Sequence, residues 1–281
     1  MPVESFAADL HCHTQYSDGS CTVAEVLALA KARGLSAIAV TDHDTFAGVA
    51  EAVALGKSLG VRVIPGLEIS SRDPKTGRKV HILGYLCRDP EPVERLCRRT
   101  LHSRNEGSVR SAQVIAELYH LPLSFLLARR ERSTCLYKQH LMQALMDAGV
   151  TNEMFGEVFH RLFTSKGGLA FSKTEYPDAE EAIDAVHEAG GLAVLAHPNA
   201  YQSEDLLADL VHRKKLDGVE VYHPRNLPES VPQFEALCRE NELLMTGGSD
   251  FHGSFGRPVS LGTCCAPEES LKRLSIQQRF E

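Results

Sequence analysis

Ala8-Asp9-Leu10-His11-Cys12-His13 closes a short apolar run with a His-x-His pair, and an Asp-Gly turn, Ser17-Asp18-Gly19, follows. Residues two apart in a strand point to the same face. His11 and His13 therefore leave one strand end together, placed to grip one metal ion, and Cys12 between them points away. Further short apolar runs follow the same plan of strand, polar end, helix. Residues 37–40 end in Thr41-Asp42-His43-Asp44, residues 61–65 in Gly66-Leu67-Glu68, and Val80-His81-Ile82-Leu83-Gly84 is a fourth run. After a gap, residues 192–195 end in Ala196-His197-Pro198. Gly218-Val219-Glu220-Val221-Tyr222 comes next, and residues 243–246 end in Gly247-Gly248-Ser249-Asp250-Phe251-His252.

Helical periodicity fills the spaces between these runs. The spacing predicts helices over residues 22–33, 47–59, 179–189, 205–214 and 233–241. Thr22 with Glu25 fits a capping box, and Gly34 and Gly60 suit helix ends. Seven strands alternating with helices predict an α/β fold with a parallel sheet. Polar residues gather after the strand ends, where a β/α barrel keeps its active site. Residues 90–171 break the alternation, with helical periodicity and no strand. The expected organisation is a barrel from 1–86 and 173–281, interrupted by a small helical domain at 87–172.

The composition narrows the function. A chain of 281 residues, 43% hydrophobic, can bury a full core as one domain or one domain with an insertion. Net charge −7 argues against general nucleic-acid coating or binding to anionic membrane. No apolar run is long enough to span a bilayer, and Met1-Pro2-Val3-Glu4-Ser5 shows no basic segment followed by an apolar one, so no export signal is expected. The eight Cys lack zinc-knuckle spacing, and vicinal Cys264-Cys265 suits a disulfide poorly, so free thiols in a reducing cytoplasm are expected. Charge is uneven: residues 87–172 hold 12 Lys+Arg against 9 Asp+Glu, and the remainder 18 against 28. A basic segment beside an acidic, His-rich body could hold an anionic substrate over cations, although the charge counts alone favour an ordinary solvated helical surface.

The candidate ligands are His11, His13, Asp18, His43, Glu68, His81, His197, Asp250 and His252. All lie at or past strand ends except His81, which lies within its strand. Imidazole with carboxylate suits Zn, Mn or Fe. Nine ligands exceed one ion's needs, which implies two or three divalent ions, with Glu68 able to bridge. Clustered cations suit phosphoryl transfer, because they activate water, neutralise phosphate oxygens and stabilise the departing oxygen. Asp42 and Asp44 flank His43; either orients that imidazole or caps the next helix. His102, His120, His160, His187 and His212 lie in helical, often polar stretches and read as ordinary polar residues.

The motifs Asp9-Leu10-His11-Cys12-His13-Thr14, Thr41-Asp42-His43-Asp44, Gly66-Leu67-Glu68-Ile69-Ser70, His81-Ile82-Leu83-Gly84, Ala196-His197-Pro198, the run at 218–222 and Gly248-Ser249-Asp250-Phe251-His252, in this order, resemble the polymerase-and-histidinol-phosphatase (PHP) family of metallo-phosphoesterases. The resemblance implies a distorted seven-stranded (β/α)7 barrel holding three ions. By motif, His11, His13, Glu68 and Asp250 would hold one, Glu68, His81 and His197 a second, and Asp18, His43 and His252 the third. His43, Asp250 and His252 would then act in catalysis. The insertion resembles the stand-alone branch, in which a small helical domain covers the metal site. That branch includes nucleotide-directed phosphatases, a short-RNA exonuclease and enzymes opening cyclic phosphates. Tyr137-Lys138-Gln139-His140 stands where relatives often show Arg-x-His, so Lys138 and His140 are candidate phosphate ligands. Arg104 and Arg110 fall where relatives carry an Arg-rich helix, with Arg104 the candidate phosphate ligand, and His223 in Tyr222-His223-Pro224 is a candidate substrate contact. Relatives in the nucleotide and RNA branch often show a Lys-Pro-Gly-Tyr-Val-like segment. Here Lys166-Gly167-Gly168-Leu169-Ala170-Phe171 lacks that Pro and Tyr, leaving room for a sugar phosphate or cyclic phosphate.

The expected function is hydrolysis of phosphate esters of a small metabolite, such as a nucleotide or sugar phosphate, with a cyclic diester opened before the monoester as one form of it. No membrane and no stable nucleic-acid complex are expected. A 5′-3′ exonuclease on short RNA needs an open basic groove with aromatic platforms, and with 6% aromatic residues and no Trp the chain offers few. A non-catalytic PHP module that binds a nucleotide would show lost ligands, and every expected position is filled.

Overall fold

The computed structural model describes residues 7–279, so the expectation about residues 1–5 lies outside the described residues. The elements run β1 (Ala8–Cys12), α1 (Val23–Ala32), β2 (Ala37–Val40), α2 (Val49–Leu59), β3 (Arg62–Val63), β4 (Gly66–Arg72), β5 (Lys79–Tyr85), α3 (Glu91–Tyr119), α4 (Leu123–Ala128), α5 (Lys138–Asp147), α6 (Glu157–Phe163), α7 (Ala179–Glu188), β6 (Leu192–Leu195), α8 (Glu204–His212), β7 (Gly218–Tyr222), α9 (Val231–Glu240), β8 (Leu244–Gly247) and α10 (Glu268–Arg279). The caps behave as their sequence requires. Thr22 Oγ1 accepts from Glu25 N at 3.1 Å, and Glu25 Oε2 accepts from Thr22 N at 2.7 Å. Gly60 ends α2 at φ 75°, where a side chain would be strained.

The strands form a three-stranded parallel sheet, β1-β2-β3, and a five-stranded sheet, β4-β5-β6-β7-β8. This differs from the expected seven strands around one parallel barrel in two respects. Pro65 has no amide to donate, so the third run stops at Val63 and Gly66 opens a separate strand. That strand continues to Arg72 and reverses through Asp73-Pro74-Lys75-Thr76-Gly77. Asp73 accepts from Lys75 N at 2.9 Å and Thr76 Oγ1 at 2.6 Å, and Gly77 sits at φ 70°. The result is a β4-β5 hairpin, and β5 also pairs antiparallel with β6. The two sheets meet through isolated bridges, including His43–Glu68 and Cys12–Phe251, and the ladders do not close into a ring among the described residues.

The reversal has a consequence for the site. The antiparallel β5 brings its beginning, not its end, to the polar side, and His81 stands opposite Ser70. A ligand candidate inside a strand is thereby brought level with those at strand ends.

The core lies on both faces of the sheets. One cluster packs Leu67, Ile69, Val80 and Ile82 under Ile183, Val186 and Leu210 of α7 and α8. Another packs Val23, Val26 and Leu27 of α1 on Ile38 and Val40. The helices α3 to α6 have their own cluster, built on Ile115, Leu126, Leu141, Leu145 and Leu162, while Val93 and Cys97 at the start of α3 belong to the main core. All eight cysteines are free thiols, and no helix among the described residues is long and apolar enough to cross a membrane.

Candidate metal centre and its cavity

His11 and His13 emerge together from β1, fully buried. Their Nε2 atoms stand 3.2 Å apart and converge on Glu68 Oε2 at 3.3 and 3.2 Å, and on Asp250 Oδ1 at 3.6 and 3.3 Å. Ligands about 2.0–2.2 Å from one cation at right or tetrahedral angles stand roughly 2.8–3.6 Å from each other. The set therefore fits one ion. Glu68 Oε1 meets His81 Nδ1 at 2.7 Å and His197 Nε2 at 3.0 Å, so its two oxygens face two different groups, as a bridging carboxylate requires. A third group gathers on Asp18: Oδ1 is 3.3 Å from His252 Nε2 and 3.8 Å from His13 Nδ1, and Oδ2 is 3.9 Å from His43 Nε2. His43 lies between the groups, with Nδ1 3.2 Å from Glu68 Oε2. All nine candidates thus come together at one end of the strands.

Buried atoms without hydrogen-bond partners concentrate here: His13 Nδ1, Asp18 Oδ1, His43 Nδ1 and His197 Nδ1. Such atoms are costly unless something satisfies them, and a cation satisfies an imidazole lone pair and a carboxylate at once. The carboxylates are kept ionised. Burial alone would push Glu68 up, but His81, His11 and His43 hold it well below the usual range. Asp18 behaves likewise, burial being outweighed by His252, His43 and His13.

Outer partners orient these groups. Glu220 Oε1 accepts from His11 Nδ1 at 2.9 Å, and its Oε2 accepts from His197 N at 2.9 Å. Both oxygens are engaged, so the cluster of His11, His197 and Glu220 is an orienting layer, the usual arrangement around metal-bound histidine. Sequence reasoning gave Glu220 no role, although an acid inside the apolar strand at 218–222 was a usable signal. Asp42 and Asp44 do neither of the things expected of them. Asp42 accepts from Thr14 N at 2.8 Å, Thr14 Oγ1 at 2.7 Å and Ser17 Oγ at 2.6 Å, pinning the loop to Asp18. Asp44 accepts from Ser70 N at 2.8 Å and from Arg104, and α2 starts at Gly48 with no side-chain cap. Cys12 points away as expected, its Sγ donating to Ala39 O at 3.2 Å.

A cavity of about 1520 Å³ opens over these groups, walled on the far side by α3, α5 and α6. Each candidate substrate contact has a definite place. Arg104 lines the cavity but is buried, donating to Asp44 Oδ2 at 2.7 Å and Ser70 Oγ at 2.8 Å. Lys138, the first residue of α5, also lines it, with Nζ 5.4 Å from the Phe163 ring and 5.5 Å from the Phe171 ring. Burial and the nearby Lys79 lower its pKa to about 8. His140 is 3% exposed, accepts from Tyr137 N at 3.1 Å and packs on Phe255, with burial lowering its pKa to about 4. His223 lines the cavity, and its Nδ1 accepts from Arg225 N at 3.0 Å. Its proton therefore sits on Nε2, 3.5 Å from Asp250 Oδ2. His160, read as an ordinary helical residue, also lines the cavity.

Residues 9–274 match the family model of the PHP domain. The chain is 41% identical over 256 residues to phosphoribosyl 1,2-cyclic phosphate 1,2-diphosphodiesterase of Eggerthella lenta, covering 90% of this chain and 97% of that protein. It is 30% identical over 258 residues to a 5′-3′ exoribonuclease of Haemophilus influenzae, covering 88% and 90%. A solved structure from Bifidobacterium adolescentis, assigned to the metal-dependent phosphoesterases, is similar at a TM-score of 0.87 and 29% identity, covering 97% of this chain and 96% of that one.

Proposed function

This chain belongs to the PHP domain family and is a phosphoesterase acting on a small phosphorylated substrate, and from that premise we propose that it opens a cyclic phosphate of a phosphorylated sugar and then removes the remaining ester. The observation that carries this reading is the two-ended cavity. One end holds nine imidazole and carboxylate groups, gathered on the two oxygens of Glu68 and on Asp18, and on the opposite wall Lys138 is half-buried against aromatic rings. The likeness to the Eggerthella lenta enzyme supports the cyclic sugar phosphate.

The three sets would hold three divalent ions, Mn, Fe or Zn, with Glu68 shared between two. When bound, these ions supply Lewis acidity and an activated water. The protein's own groups do the rest. Asp18, Glu68 and Asp250 are held ionised and would keep the ions in place. His223 directs an Nε2–H toward the cavity, where it donates to a phosphate oxygen. His43 and His252 flank Asp18 and hold the third set together. Lys138 takes an anionic group of the substrate remote from the reacting phosphorus. Ring opening consumes one water: a P–O bond to the sugar breaks, a P–O bond to the water oxygen forms, and the departing oxygen takes up a proton. A second water releases inorganic phosphate.

Residues 87–172 would act as the domain that closes the substrate in. A second reading, trimming of short RNA, is favoured by one feature: Phe155, Phe159 and Phe171 line the cavity, and Phe155 and Phe171 are 40% and 39% exposed. Incubating purified protein with manganese and phosphoribosyl 1,2-cyclic phosphate, then following products by phosphorus NMR, tests the main reading. Ring-opened product followed by free phosphate is expected. Turnover of 5′-phosphorylated oligoribonucleotides with an inert cyclic phosphate would install the RNA reading instead.

A further inference from the structure

We propose that Gln139, in the helical segment, positions the Asp18 carboxylate, so that the ion of the third set is held as firmly as α5 is docked onto the sheet end. This rests on the reading that Asp18 is an ion ligand.

Gln139 Nε2 lies 2.7 Å from Asp18 Oδ2. An ionised carboxylate only accepts, so the amide must present its NH₂ here and the orientation of the side chain is fixed. Asp18 is 4% exposed. Its other oxygen, Oδ1, has no hydrogen-bond partner and stands 3.3 Å from His252 Nε2 and 3.8 Å from His13 Nδ1. Gln139 thus occupies Oδ2, the oxygen 3.9 Å from His43 Nε2, and leaves Oδ1 turned toward His252 and His13. A carboxylate held on one oxygen has lost most of its rotational freedom before an ion arrives, and this raises affinity.

Gln139 does not act from a loose surface. Ser133 Oγ donates to Ser17 O at 2.7 Å, and Thr134 donates to Tyr16 O from its N at 3.1 Å and from its Oγ1 at 3.2 Å. Three successive residues, Tyr16, Ser17 and Asp18, each accept from the stretch that leads into α5 and its first turn. From the opposite side Asp42 accepts from Ser17 Oγ at 2.6 Å. The loop carrying Asp18 is clamped between the sheet and the helical segment, and Gln139 is the contact that reaches the ligand itself.

Partners of this kind typically contribute about ten- to a hundredfold in metal affinity. The test uses the full chain loaded with Mn²⁺, with bound metal counted by elemental analysis and affinities obtained by chelator competition. Asp18→Asn should lose one ion. Gln139→Met should keep every ion at saturating Mn²⁺ but bind one of them about ten- to a hundredfold more weakly, the others holding at wild-type affinity. Should Gln139→Met fail to fold, Gln139→Asn is read the same way, since its amide falls one methylene short. If Asp18→Asn loses an ion while the Gln139 variant binds all of them as the wild type does, the inference is overturned and the ligand reading stands. Uniform weakening of every ion also overturns it, because that is loss of docking rather than of positioning. If Asp18→Asn keeps its full content, the ligand reading itself falls.

Discussion

The sheet end and the helical segment face each other across one cavity, and they carry chemistry in opposite ways. At the sheet end, functional side chains are set by strand register: His11 and His13 share a face because they are two residues apart, Glu68 and His81 project from within β4 and β5, and the loops beyond the strands add the rest. On the helical side, only docking decides which basic residue faces the cavity. Arg104 turns to Asp44 and His140 into the start of α5, while Lys138 remains against Phe163 and Phe171. Residue spacing thus specifies a site where neighbours are fixed by a sheet, and specifies little where they depend on helix packing.

The sheet end depends most on Glu68, on which His11, His13, His43, His81 and His197 all converge within 3.3 Å. Glu68→Ala should lower kcat on the order of a thousandfold and reduce bound metal, as elemental analysis after desalting would show. A variant that retained its full metal content would break the bridging role.

Next comes the buried pair between the two regions. Burial disfavours the Arg104 charge, but Asp44 holds its pKa well above the usual value. The side chains are 10% and 0% exposed. Arg104→Met should cost about 3–5 kcal/mol of unfolding free energy, because it leaves Asp44 buried and uncompensated. Asp44→Asn together with Arg104→Met should recover part of that in denaturant titrations. A loss of kcat/KM at unchanged stability would instead return Arg104 to the substrate.

Lys138 gives a smaller effect and a sharper one. Lys138→Met should reduce kcat/KM about ten- to a hundredfold on a substrate with two anionic groups, and leave a simple aryl phosphate untouched. Its pKa is lowered to about 8, chiefly by burial and then by Lys79, with Tyr176 opposing and Arg104 adding to the effect. The ammonium is present below that pH and lost above it. The kcat/KM for the two-anion substrate should therefore fall as pH rises through about 8, by a limb missing from the aryl phosphate profile. Identical profiles for both substrates would place Lys138 outside the distal contact.

Much of the sheet end was legible for these reasons. The His-x-His face, the capping box at Thr22 and Glu25, and the strand at 218–222 follow from periodicity and local hydrogen bonding alone. The hairpin escapes a reading that takes the stretch at 66–68 as the tail of the preceding strand, although Pro65 and Asp73-Pro74-Lys75-Thr76-Gly77 carry both a break and a turn. Backbone strain was not legible at all. Asp44, His197 and Asp250 sit at φ 58°, 28° and 54°, unusual for residues with a side chain, and only the assembled surroundings hold them there. Nor does any local pattern tell Gln139 from another polar helix residue, since its partner lies 121 positions away.

The smallest expected effect tests the strand rule at its most exposed point. Cys12 stands between two metal-ligand candidates and would be the natural suspect for a nucleophile if adjacency decided function. Alternation places it on the other face, where it is fully buried beside Val40 and Val26 and donates to Ala39 O. Burial, with Asp9 and Asp42 nearby, pushes its thiol well above the usual range, so it has no thiolate to offer. Serine keeps a donor for Ala39 O but replaces a polarizable, apolar sulfur by a hydroxyl in a close-packed core. Cys12→Ser should therefore cost about 1 kcal/mol of stability, measurable by denaturant unfolding, with metal content and kcat unchanged. Turnover lost while metal content and folding persist would mean that the side chain reaches the cavity, and that strand alternation does not set which groups of β1 belong to the site.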